Sequence, residues 1–307
     1  MNIGVIGLGR MGSAIAIRLH RSGIITRGFD INSDMRAYVS KEGVEVAPSI
    51  EVLVAQSDVL WMLLPAGDLI DAMLQQILLY ASPGKIIIDA GNSKYTDSIR
   101  RAKELESRGI YFVDCGTSGG IHGLQDGFCL MIGGDRNIYE TLAPAFRAVS
   151  ARDGYAYVGP SGAGHYVKMV HNGIEYGLMQ AYAEGFHILK DGAFKDARLP
   201  LDEIAALWQN GSVIRSWLLE LTHSILEDDQ DLLSISGEVA ESGMGEWTVA
   251  QAEQQQIPVD VIKTALLVRA HSRKTGGNYA TKLVALMRNK FGGHAVKRYE
   301  EQYNEDN

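Results

Sequence analysis

The first twelve residues, MNIGVIGLGRMG, constrain this chain more than any other stretch. Asn2–Ile6 is a short apolar run of strand type, Gly7-x-Gly9-x-x-Gly12 follows, and a helical pattern occupies Ser13–Arg21. Three glycines at this spacing say little alone, but between a strand and a helix each has a physical purpose. Gly7 permits a tight turn, Gly9 lets a pyrophosphate approach the backbone, and Gly12 lets helix and strand pack. The positive end of the helix then faces the diphosphate. Gly7, Leu8, Gly9, Met11 and Gly12 are the expected dinucleotide contacts of this turn.

A second strand, Ile24–Phe29, ends in Asp30, 18 residues after Gly12. A carboxylate there accepts hydrogen bonds from the ribose hydroxyls and repels a 2′-phosphate, which selects NAD over NADP. The alternative is that Asp30 only caps a helix starting near Ser33. Strand and helix then alternate: strand Val59–Leu64 stopping at Pro65, helix Asp68–Tyr80, strand Lys85–Asp89 and helix Thr96–Arg108. Strand Tyr111–Asp114 and a loop Cys115–Gly120 follow. Such alternation predicts a parallel, doubly wound sheet of Rossmann type, with ligands beyond the carboxyl ends of its strands. Asn92 and Ser118, Gly119 and Gly120 stand at two such ends, where plain turn formation is the alternative. Leu64, Pro65 and Asn92 complete the expected cofactor set.

After Tyr155–Val158 the pattern becomes helical, over 163–190, 201–209, 213–226, 246–256, 258–273 and 278–290. The expected organisation is a dinucleotide-binding Rossmann domain over 1–160 and an all-helical substrate and oligomerisation domain over 161–307. Glu227–Asp231 reads as a solvated acidic loop and Tyr299–Asn307 as a polar tail.

The helix from 163 carries Lys168, His171, Asn172 and Glu175 at i, i+3, i+4 and i+7, hence on one face. Its rise separates Lys168 from Glu175 by about 10 Å, the span of a small sugar acid. A solvated face with a charge pair is the ordinary reading of such a stripe. Tyr166, Val167, Met169, Val170, Ile174 and Met179 argue instead for a buried helix whose polar stripe lines a cleft. Burial shifts the pKa of Lys and Glu, which prepares them for proton transfer at neutral pH.

Composition removes several classes of function. Net charge is −8, with a pI near 5.5, which disfavours nucleic-acid and anionic-membrane partners. The apolar run Val59–Leu64 is far short of the roughly 20 residues of a spanning helix. A strand beginning at Asn2 leaves no room for a targeting peptide, so a cytoplasmic protein is expected. Cys115 and Cys129 lack metal-site spacing and are expected to be buried, reduced thiols.

Together these segments resemble the 6-phosphogluconate dehydrogenase family, within the larger β-hydroxyacid dehydrogenases. The resemblance covers GLGRMG (7–12), GNS (91–93), TSGG (117–120), GHYVKMVHNGIEYG (164–177), WT (247–248) and RNKFGGH (288–294). The wider superfamily keeps only the pair matched by Lys168 and Asn172. Chain length and GLQDGFCLM (123–131) are similar to the short, usually NAD-linked bacterial form.

The resemblance implies that Lys168 is the base for the C3 hydroxyl and Glu175 the acid that protonates C1 after loss of CO2. It implies that Ser118, Gly119, Gly120, His171 and Asn172 hold the carboxylate and hydroxyls, with Asn92 between nicotinamide and sugar. It places Tyr176, Thr248, Arg269 and Arg288 around the C6 phosphate with His294 close by, and no metal. It further implies that the Arg288–His294 segment completes a neighbouring subunit's site in a homo-oligomer, a dimer or tetramer.

Two positions depart from the family pattern. Glu246 stands where a basic residue precedes Trp-Thr, and Ile121-His122 follows TSGG. The expected activity is NAD-dependent oxidative decarboxylation of 6-phosphogluconate. Alternatives are the same chemistry on 6-deoxy-6-sulfogluconate, a non-decarboxylating 3-hydroxy acid dehydrogenase, or a silent dinucleotide sensor.

Overall fold

The structure, a computed structural model, describes residues 1–241 and 243–299. The part of the expected polar tail from residue 300 onward lies outside the described residues. The chain forms two compact units, one over Met1–Val170 and one beginning at His171, so the division falls within a helix rather than at residue 160.

In the first unit β1 (Asn2–Ile6), α1 (Arg10–Arg21), β2 (Ile25–Phe29), α2 (Ser33–Lys41) and β3 (Glu45–Val46) make one half of a wound sheet. The other half runs α3 (Ile50–Gln56), β4 (Val59–Met62), α4 (Asp68–Leu78), β5 (Ile86–Asp89), α5 (Tyr95–Glu106) and β6 (Tyr111–Ser118). α6 (Gly123–Asp126), β7 (Phe128–Gly133), α7 (Arg136–Val149) and β8 (Ser150–Gly159) follow. The strand order is β3-β2-β1-β4-β5-β6-β7-β8. Order therefore reverses between β1 and β4, which pair in parallel, and the crevice at that switch point lies beside Gly7.

The sheet is not wholly parallel. β7 pairs antiparallel with β6, from Asp114 opposite Gly133 to Ser118 opposite Cys129. This corrects the expected loop at Cys115: the partner strand carries β6 on to Ser118, so only Gly119 and Gly120 remain in the turn. The apolar run Phe128–Gly133 has no alternating pattern, which hid it as a strand.

Alternation along the central strands feeds two cores. Val59 and Trp61 pack with Ile15, Leu19 and Phe146 on one face, while Leu60 and Met62 pack with Ile70, Leu74 and Ile77 on the other. Full burial of each such side chain stabilises by about 1.5–3 kcal/mol. Cys115 belongs to the first core, and burial pushes its thiol up to about 12. Cys129 is exposed, contrary to the expectation of burial, because its position on β7 points away from both cores.

The long helix α8 (Ala163–Asp191) crosses from one unit into the other. The second unit adds α9 (Leu201–Gln209), α10 (Trp217–Asp228), α11 (Met244–Gln254), α12 (Asp260–Thr275) and α13 (Tyr279–Gly292). Its core takes Tyr176, Met179, Ala183 and Phe186 from α8, a stripe at helical spacing. Asn278 and Thr281 form a reciprocal capping box that starts α13. Ile174 and Leu178 are exposed, so α8 is not apolar-packed all round as its sequence suggested. Among the described residues no helix is long and apolar enough to cross a membrane.

Candidate active site

At the dinucleotide end, Gly7 has φ +88° and its N–H donates to the Phe29 carbonyl at 2.9 Å. A Cβ on Gly12 would stand 1.8 Å from the Gly7 carbonyl oxygen, so that helix–strand contact admits only glycine. At Gly9 an added Cβ would meet nothing within 4 Å, and no side chain caps α1 there. The start of α1 is thus open on the side an anion would use. Leu8 is buried, Met11 and Leu64 are half-buried, and Pro65 is exposed.

Asp30 does not cap α2. Asn32 does, accepting the Asp34 N–H at 2.8 Å. The Asp30 carboxylate instead accepts Leu8 N–H at 2.6 Å and Asn32 N–H at 2.8 Å, one on each oxygen. That locks the carboxylate beside the glycine turn with lone pairs left over for hydroxyl donors. The donor set and the open helix start fit an NAD-type dinucleotide.

Asn92 is exposed in a turn whose neighbour Ser93 donates to the buried Asp89 at 2.7 Å. Ser118, Gly119 and Gly120 are half-buried at the end of β6, with φ +130° at Gly119 and +57° at Gly120. Lys168 is 6% exposed. A Cβ on Gly116 would lie 2.4 Å from the Lys168 Cβ and 2.7 Å from the Gly164 carbonyl, so glycine lets α8 sit directly on β6. Asp114 fastens the start of α8, its carboxylate accepting the N–H of Gly162 at 2.6 Å and of His165 at 2.9 Å. Lys168 follows one turn later. The sequence reading missed Asp114, since a carboxylate ending an apolar strand gives no sign of the helix it holds.

The second unit gathers the expected anion-binding residues. His171 Nδ1 lies 3.0 Å from Asn172 Oδ1 and 3.8 Å from Glu175 Oε2, so three polar residues of the α8 stripe meet one another. Two glycines bring α11 close to α8. A Cβ on Gly173 would strike the Thr248 methyl at 2.7 Å, and one on Gly245 the Tyr176 ring at 2.4 Å. Thr248 donates to the Met244 carbonyl at 2.9 Å.

The Arg269 guanidinium lies over the Tyr176 ring, 3.3 Å from its centroid, and Arg269 is 1% exposed. Neither terminal nitrogen of Arg269, nor the Tyr176 hydroxyl, has a hydrogen-bond partner among the described residues. Burial pushes the Arg269 guanidinium down to about 10; the electron-rich Tyr176 opposes this and the positive charge of Arg288 adds to it. Arg288 is buried on α13, and burial lowers it as well, against the pull of Tyr176 and Glu175. Buried donors without acceptors cost about 1–3 kcal/mol each, more when charged, and an oxyanion would satisfy them.

Glu246 is exposed on the first turn of α11, where the helix dipole favours a carboxylate. It makes no ion pair with Arg269 or Arg273 among the described residues, and Arg273 pairs with Glu241 at 3.1 Å instead. His294 lies beyond α13, edge-on to Phe291 with centroids 6.2 Å apart.

Residues 2–159 match the NAD binding domain of 6-phosphogluconate dehydrogenase, and residues 164–282 match the C-terminal domain of the same enzyme. The chain belongs to the 6-phosphogluconate dehydrogenase family. An NAD(+)-dependent, decarboxylating 6-phosphogluconate dehydrogenase of Haloferax volcanii is 41% identical over 306 residues, covering 98% of this chain and 100% of its own. The decarboxylating enzyme of Cunninghamella elegans is 39% identical, over 88% of this chain but only 59% of its own. In structure the chain is similar to the Plasmodium falciparum 6-phosphogluconate dehydrogenase, with a TM-score of 0.80 at 30% identity, covering 90% of this chain and 62% of that one. A 3-hydroxyisobutyrate dehydrogenase of Salmonella typhimurium shares the fold at TM-score 0.74 and 22% identity. Family membership thus rests on both units.

Proposed function

We propose that this protein is an NAD-dependent decarboxylating dehydrogenase that converts 6-phosphogluconate to ribulose 5-phosphate and CO2, with formation of NADH. The observation that carries the substrate class is the buried guanidinium of Arg269, whose terminal nitrogens find no acceptor among the described residues and which is stacked on Tyr176. An anionic end group supplies the missing acceptors. Tyr176 and Thr248 complete its surroundings within the subunit, and their burial keeps water from competing.

NAD, when bound, would supply the hydride acceptor for C3. Gly7, Leu8, Gly9, Met11, Gly12, Leu64, Pro65 and Asn92 would hold it, and Asp30 would take its ribose hydroxyls. Lys168 in its neutral form removes the proton of the C3 hydroxyl as the hydride leaves. The β-keto acid so formed loses CO2, while the protonated Lys168 polarises the carbonyl oxygen and stabilises the enediolate. Glu175 protonates C1 of the enediol. Ser118, Gly119, Gly120, His171 and Asn172 orient the carboxylate and hydroxyls. Trapping CO2 in step with NADH formation supports this chemistry; NADH without CO2 identifies a non-decarboxylating dehydrogenase instead.

A second reading concerns the end group alone. Glu246 is an exposed carboxylate one residue after Gly245, which packs on the Tyr176 ring. A negative charge so near the anion pocket favours an end group of lower charge, such as the sulfonate of 6-deoxy-6-sulfogluconate. Comparing kcat/KM for the two acids, in wild type and Glu246→Lys, separates the readings. The protein is further proposed to be a cytoplasmic homo-oligomer in which the segment Arg288–His294 completes a neighbouring site. Mixing Arg288→Ala with Lys168→Met subunits restores activity if that is so, and an active monomer in solution excludes it.

A further inference from the structure

Arg101 has no exposed side-chain surface, yet it stands on the second turn of α5 and is not among the residues assigned to binding or proton transfer. Its guanidinium makes contacts in two directions. Toward α4, Nε and Nη2 donate to the Asp71 carboxylate at 2.8 and 3.0 Å, and Nη2 also donates to the Gly67 carbonyl at 3.2 Å. Toward β5, Nη1 reaches Asp89 and the Ser93 hydroxyl, each at 3.5 Å.

Those partners flank two separate loops at the carboxyl edge of the sheet. Gly67 ends the loop that begins with Leu64 and Pro65 after β4 and it precedes α4. Asp89 and Ser93 bracket the turn that presents Asn92, Asp89 accepting both the Ser93 hydroxyl at 2.7 Å and the Gly91 N–H at 3.2 Å. The loops also touch directly, since a Cβ on Gly91 would stand 2.6 Å from the Leu64 carbonyl oxygen. Gly91 sets how near they come, and the guanidinium ties them on the far side.

On the Asp89 side, where both partners are fully buried, desolvation offsets most of the attraction. Its effect is geometric: a planar fork with fixed donor directions holds several acceptors in one arrangement. We infer that Arg101 is a positioning residue for the dinucleotide, fixing the gap between the Leu64–Gly67 loop and the Gly91–Ser93 turn without touching the cofactor. The inference rests on the reading that NAD binds at this edge of the sheet.

The test uses the full chain with NAD as ligand, measured by calorimetric binding and by steady-state kinetics, for Arg101→Lys and Asp71→Asn. Lysine keeps the charge but loses the fork, so Arg101→Lys should raise Kd and KM for NAD at least tenfold, with kcat at saturating NAD within threefold of wild type. Asp71→Asn releases one arm of the fork at a partly exposed residue and should raise KM for NAD two- to fivefold. A purely structural role would lower the unfolding midpoint and leave KM for NAD alone. If Asp71→Asn, and Arg101→Lys where it folds, keep KM for NAD within twofold of wild type, the inference is overturned. Wild type that fails to bind NAD at all would instead overturn the cofactor reading.

Discussion

The guanidinium carbon of Arg269 rests 3.3 Å from the centroid of the Tyr176 ring, sealed from solvent and with no hydrogen-bond partner for its terminal nitrogens among the described residues. A cation over an aromatic face gains about 2 kcal/mol or more when desolvated, which partly offsets the burial of the charge. The arrangement is therefore tolerable without ligand and improved by one. A charge-assisted hydrogen bond contributes about 1.5–3 kcal/mol, so Arg269→Met should raise KM for 6-phosphogluconate by about 10- to 150-fold per bond lost. The same substitution should abolish the rise in melting temperature that the sugar acid gives wild type. An unchanged KM would remove Arg269 from the substrate site.

Asp30 is held by Leu8 and Asn32 and does not cap α2. In the proposed ribose role its charge repels a 2′-phosphate, so NAD should be strongly preferred over NADP. Asp30→Ser should narrow the ratio of kcat/KM values by relieving repulsion. A wild-type preference for NADP in steady-state kinetics would show that the carboxylate only braces the glycine turn.

Lys168→Met should abolish hydride transfer while calorimetry still detects NAD binding, because the role proposed for the lysine is on the sugar and not on the dinucleotide. Glu175→Gln should slow turnover by impairing protonation at C1. General acid–base groups contribute about 10²- to 10⁴-fold, so a loss below tenfold in either variant rejects its role.

Acid should weaken the protein through Asp71. The hydrogen bond from Arg101, followed by that from Arg100, holds its carboxyl down to about 2 from 3.8, against a smaller upward push from burial. The folded-state pKa is depressed, so the contribution to stability is complete above about 4 and fades as pH falls toward 2. Urea unfolding of wild type and Asp71→Asn should show a difference that is constant from pH 7 to 5 and shrinks below pH 4. A difference independent of pH would mean that the pair does not act through charge.

Much of this was legible in the residues themselves. Glycine spacing placed the dinucleotide turn, and the stripe Lys168–Glu175 was legible because a helix repeats every 3.6 residues. The antiparallel β7 was not, since a short, wholly apolar strand has no period to read. Arg101 and Asp114 escaped for a related reason. Each looks like an ordinary charged residue at a helix or strand position, and only its partners, distant along the chain, show that it is buried and engaged. Glu246 was visible as a departure from the family pattern, while its exposure and lack of an arginine partner needed the structure.

The contact between Gly116 and Lys168 bears on how this chain tolerates mutation. Every amino acid other than glycine carries a Cβ, and at Gly116 that atom would stand 2.4 Å from the Lys168 Cβ, among backbone with no room to give. No missense codon at this position is therefore a mild one. Alanine, elsewhere the gentlest replacement, should already displace the lysine and cost most of the activity in a folded protein. A saturation library of the gene should return position 116 as glycine or nothing.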